Sequence, residues 1–201
     1  MTSAEIIASI QDWELIRQDS ELMITYFGQG NCYSYSFPEY ARTSDFLHAY
    51  PGIYNNELYF FMIPSAYDKD EYHDTIDKYT TPCLLVNVVG SGEDRILTAE
   101  AKARIKAWEA NYVTWTPAQV NGEYGIFEAF SIPAQDFEVE DVVVTLALKI
   151  DLTAAGGFEA DLIVTNDMGK QIVYDDFVNP VPPFSAAPTS ENEFSLLPAN
   201  I

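Results

Sequence analysis

Along MTSAEIIASIQDWELIRQ, the apolar positions Ile6, Ile10 and Trp13 recur at the spacing that puts one stripe on an α-helix. Thr2 with Glu5 three residues on forms a capping box, so a helix is expected to start there. The pattern then shortens. Residues 22–27 and 33–37 read as strands around Gly28-Gln29-Gly30-Asn31, whose glycines permit the positive φ of a hairpin, and Pro38 closes the second strand. Residues 44–49 read as a short helix ended by Pro51-Gly52, and 58–63, LYFFMI, as a buried aromatic strand stopped by Pro64. A charged helix is expected over 68–79 and a strand over 84–89, ended by Ser91-Gly92. Thr98 caps a helix through about residue 115, with Ile105, Trp108, Tyr112 and Trp115 on one face, and Pro117 is expected to stop it.

From 127 to 174 the period becomes two. Leu146, Leu148, Ile150 and Leu152 share one face, and Thr145, Ala147, Lys149 and Asp151 the other. Phe158, Ala160, Leu162 and Val164 repeat the pattern against Glu159, Asp161 and Thr165, and Ile172 and Tyr174 begin a third run. The joining segments 153–157 and 166–169 carry hairpin-loop glycines, which predicts an antiparallel meander over 125–177 with one wet face. Helices mainly in the first 116 residues and strands after them predict an α+β fold. The expected organisation is a single α+β domain over 1–178, with 117–125 as the place for a subdomain boundary, followed by an extended Pro-rich tail over 179–201. Phe184, Phe194, Leu196 and Leu197 are apolar for a free tail, so the tail is expected to dock.

Charge narrows the partners. The 201 residues hold 10 Lys plus Arg against 31 Asp plus Glu, a formal charge of −21. Nucleic-acid backbones and anionic membrane surfaces both need basic residues, so neither is expected as a partner. No basic leader precedes the first apolar stretch and no window reaches the roughly 18 apolar residues of a membrane span, so a cytoplasmic location is expected. Cys32 and Cys83 lie in no C-x-x-C pair and read as buried thiols. The bases are unevenly spread: Arg95, Lys102, Arg104 and Lys106 form a ridge, whereas 107–148 holds none. That ridge either neutralises acids of the same chain or leaves an asymmetric surface for a second copy or a basic partner.

Candidate chemistry is sparse. On a helix, Asp70, His73, Asp74 and Asp77 would share one face, a geometry for metal ligands, although any amphipathic helix shows such a face to water. Only His48 and His73 are available as conventional bases, no G-x-S-x-G surrounds a serine, and Cys32 with His48 is the one cysteine-nucleophile pairing. Glu57, Glu123 and Glu128 lie beside aromatic segments and are candidates for the two acids of a sugar cleft, with nothing in the sequence to select a pair. No phosphate-cradling motif occurs and no cofactor is indicated. YFGQGNCYSYSFPEY and AYPGIYNNELYFF mix Tyr with Asn, Ser and Gly, a composition that suits a recognition surface and equally suits plain strands. Tyr33, Tyr35, Tyr50 and Tyr54, with Phe184 and Phe194 of the tail, are the candidate contact residues. The expected function is a non-enzymatic protein–protein interaction or assembly module. An acidic inhibitor of a basic enzyme and a carboxylate-based hydrolase or metal-dependent enzyme are the alternatives.

Overall fold

The capping box forms: Thr2 accepts from the Glu5 N–H, and the Glu5 carboxylate accepts from the Thr2 N–H at 2.7 Å. Helix α1 (Ser3–Ile16) follows and buries Ile6, Ser9, Ile10 and Trp13. The structure, a computed structural model, describes residues 1–87, 98–176, 178–182 and 193–197. Residues 22–27 are helical rather than extended: Asp19 caps α2 (Ser20–Phe27) by accepting from the N–H groups of Glu21 and Leu22, and Met23 and Phe27, four apart, are its buried face. No hairpin therefore follows. Instead Asn31 and Cys32 meet Val86, where a Cβ on Gly30 would stand 2.6 Å from the Val86 backbone.

The strands are β1 (Cys32–Ser36), β2 (Phe46–Tyr54), β3 (Glu57–Pro64), β4 (Thr81–Leu84), β5 (Ala129–Pro133), β6 (Asp141–Ile150), β7 (Phe158–Asp167), β8 (Ile172–Asp175) and β9 (Asn179–Val181). They pair antiparallel in two sheets, β1-β6-β7-β8 and β4-β3-β2-β5-β9, and with the helices they make an α+β fold. The expected helix over 44–49 is the start of β2. Pro51 is tolerated inside it because β5 pairs only with residues 46–49, so one side of Pro51 has no ladder to break. Asn55 and Asn56, both at positive φ, turn β2 into β3. Helix α3 (Thr98–Val120) runs through Pro117; the carbonyl that the missing N–H leaves unbonded belongs to Val113, an exposed residue. Residues 88–97, with part of the expected 84–89 strand, Ser91-Gly92 and Arg95, lie outside the described residues.

One apolar core lies between the sheets, with Val142, Val144, Leu146 and Leu148 of β6 facing Leu47, Ala49, Phe60 and Met62 of β2 and β3. Trp13, Phe27, Trp108 and Trp115 extend it into the helices, and Tyr33 stacks on Phe60 at 4.8 Å. The outer face of the β6–β8 meander is not wet. Ala101 and Ile105 of α3 pack on Ala147 and Ile163, and Arg104 holds the buried Asp161. Ile150 and Leu152, expected inside, are exposed because β6 ends at Ile150, past the reach of the core.

Candidate functional site

The outer face of the second sheet carries a buried polar cluster. Alternation along β2 turns Leu47 and Ala49 into the core and His48, Tyr50 and Gly52 outward. Helix α1 lies on that face at Gly52, where an added Cβ would meet the Ser9 backbone at 2.9 Å. Beside α1 lies the segment 193–197. His48 and Asp68 are both 0% exposed, and His48 Nδ1 lies 2.6 Å from Asp68 Oδ2, an oxygen that also accepts from the Tyr50 hydroxyl. Asp68 Oδ1 accepts from the Ser195 N–H at 3.2 Å and the Ser195 hydroxyl at 2.6 Å, and His73 Nε2 lies 3.0 Å from Ser195 Oγ. Burial, and then the charge of Asp68, hold the Tyr50 phenol well above its usual range, so Tyr50 stays a donor. A carboxylate-oriented imidazole is the pair a general base uses; here Phe194 lies over the His48 ring at 4.2 Å and the ring is fully buried.

A second constellation borders the first. Tyr40, Tyr67, Tyr72 and Tyr79, all half-buried, form one ring cluster. Tyr67 stacks on Tyr79 at 4.1 Å, and Tyr40 and Tyr72 meet that pair edge-on. Glu71 raises the Tyr72 phenol by its charge, and Asp70 and Glu39 project into water nearby in sequence. Tyr72 also packs against the apolar cluster that contains Leu196, so the rings and the docked segment share one side of the molecule.

The residues singled out in the sequence fall as follows. Tyr33, Tyr35 and Tyr50 are buried: Tyr33 beside Phe60, Tyr35 against Phe37 and Phe137, and Tyr50 on Asp68. Tyr54 is half-buried, with its hydroxyl 3.4 Å from Glu5 Oε1, and Phe184 lies outside the described residues. Phe194 docks, on this chain's own sheet. Segment Asp70–Lys78 is a 3-10 helix interrupted at Thr75, so residues four and seven apart do not share a face as they would on an α-helix. Asp70 is 94% exposed, His73 turns to Ser195 and Asp77 bonds Ser3. Among the described residues no three His, Cys, Asp or Glu side chains gather as a metal ion requires. Cys32 Sγ approaches the Val86 carbonyl at 3.5 Å while His48 is engaged by Asp68, and Cys83 is buried, its thiol pushed up to about 12. Glu128 is buried against Arg17, which also holds Glu14 at 2.7 Å; burial raises both carboxyls, Glu14 to about 7.

Of the basic ridge, Arg104 is spent on this chain's own acids: Asp161 at 2.9 Å, Asp176 at 2.7 Å and Glu100. Glu123 lines a cleft of about 500 Å³ with Trp115, Tyr124 and Asp151, whereas Glu57 sits apart at the start of β3. Sequence reasoning missed Asp68 and Ser195 because Asp68 meets His48 and Tyr50 across a strand and a loop, about twenty residues back, and Ser195 meets Asp68 only from the far end of the chain. The signal available for the tyrosine cluster was its crowding: Tyr67, Tyr72 and Tyr79 lie within thirteen residues. No family model, curated protein or solved structure matches the chain.

Proposed function

We propose that the protein is a non-enzymatic interaction module that presents an acidic, tyrosine-rich surface to a protein partner. The observation that carries this reading is the cluster of Tyr40, Tyr67, Tyr72 and Tyr79, four interlocked rings left half in water. Such rings present large rigid area at little entropic cost, and residues of this kind dominate binding energy at interfaces. The neighbouring Glu39, Asp70 and Glu71 and the overall charge of −21 favour a basic partner, with Lys or Arg heads set over the ring faces. An acidic inhibitor of a basic enzyme is the special case in which that partner is catalytic.

The test is an NMR titration of the full chain with an Arg- and Lys-rich peptide, alongside light scattering of the chain alone. Tyrosine ring signals of the cluster are expected to shift, the association rate to fall steeply with salt, and Tyr67→Ala to weaken binding at least tenfold. Unmoved ring signals in a chain that is also monomeric overturn the reading.

A further inference from the structure

We propose that the outer face of the second sheet is a peptide-recognition groove that the chain keeps filled with its own residues 193–197, and that it takes from another molecule an aromatic–serine–aliphatic peptide that makes the same turn, in which the Leu197 N–H bonds the Phe194 carbonyl at 3.4 Å. The proposal is independent of the tyrosine surface. Three consecutive side chains of the docked segment each have a distinct receptor. Phe194 stacks on the His48 imidazole at 4.2 Å and meets Tyr50 edge-on at 5.7 Å. Ser195 gives both its N–H and its hydroxyl to Asp68 Oδ1. Leu196 is buried in the cluster of Ile63 and Ile76. On the receptor side, His48 and Tyr50 secure Oδ2 of Asp68, which leaves Oδ1 directed to the donors of the peptide.

The groove has a further group that its own segment does not satisfy. Ser131 stands opposite His48 in the β2–β5 ladder and therefore on the same face. It is 1% exposed, and its hydroxyl meets no hydrogen-bond partner among the described residues. A buried hydroxyl left unpaired carries a desolvation cost, so a peptide with a polar atom at that position fits the groove better than residues 193–197 do. The chain's own segment holds its place through tethering, which gives it a high effective concentration.

The probe is a fluorescein-labelled peptide of residues 191–201, ENEFSLLPANI, added to the full chain carrying Phe194→Ala and Ser195→Ala. Saturable one-to-one binding is expected, at least tenfold tighter than to the unaltered chain, whose groove is filled. Replacing Phe by Ala in the peptide is expected to weaken it at least tenfold. A second measurement does not rely on that variant: millimolar peptide added to the unaltered chain is expected to speed hydrogen exchange at the Ser195 amide. Equal affinity for the two chains, or no binding together with unchanged Ser195 exchange, overturns the proposal.

Discussion

The outer face of the first sheet is held by ionic contacts and that of the second by hydrogen bonds from uncharged groups and one imidazole. Over β6 and β7, the guanidinium of Arg104 ties α3 to Asp161 and Asp176. Over β2, Asp68 receives His48, Tyr50 and two donors of Ser195. Arg104 keeps its charge and fixed fork of donors at every accessible pH, so that cover is secure but responds to salt and to the protonation of its acids. The Asp68 cover responds to shape instead. Its contribution rests on every donor arriving in place, and one of its walls is five residues long, so it combines high local cost of disruption with a replaceable part.

Removing the hub is expected to have the largest effect. Asp68→Ala strands the His48 and Tyr50 donors in a fully buried site and is expected to cost about 4 kcal/mol, read from the denaturation midpoint. Next comes the seat of α1 on the same face: Gly52→Ala places a methyl 2.9 Å from the Ser9 backbone, which forces the helix outward at about 3 kcal/mol by the same measurement. On the first sheet, Arg104→Met leaves Asp161 buried without its cation and is expected to cost about 2 kcal/mol at pH 8. That cost shrinks at pH 5.5, because Asp161, already raised to about 6 by burial against the opposing pull of Arg104, takes up a proton.

The smallest effect is a slope with pH. Glu14 at about 7, and Asp161 and Asp175 at about 6, are all raised chiefly by burial, so the folded chain holds protons that the unfolded chain has released. Stability is therefore expected to increase as pH falls from about 7.5 to about 5 and to be lost as pH rises through the same window, with Tm moving by several degrees. A calorimetric Tm that is flat or falls on acidification across that window contradicts these assignments. Hydrogen exchange over the window is expected to change at β7 and β8, which carry Asp161 and Asp175.

Much of the fold was legible where a local pattern coincided with a tertiary need. Thr2 and Glu5 announce α1 because a capping box is satisfied within four residues, and the alternation of β6 and β7 announces the meander because one face enters the core. The errors came where a residue's usual meaning was overridden from a distance. Pro51 and Gly52 read as a stop, but β5 ends its pairing before Pro51 and α1 needs the bare backbone at Gly52. Thr145, Ala147 and Asp161 read as a wet face, but α3 brings small side chains and Arg104 to cover them. The site was less legible still. Tyr33, Tyr35 and Tyr50 have the composition of a recognition surface and the burial of a core, and composition does not encode which side of a strand faces out. Asp68 looks like one acid among 31 until Ser195 is laid beside it.

The strand order also sets a timetable for the chain as it leaves the ribosome. The hairpin of β2 and β3 is complete within residues 46–64, whereas β1 waits for β6, over a hundred residues downstream, before it has any neighbour in its sheet. The core between the sheets therefore closes only after β6 has been made, which places this fold among those whose distant pairings slow folding. His48, Tyr50 and Asp68 are made more than a hundred residues before Ser195, so that part of their cover forms late.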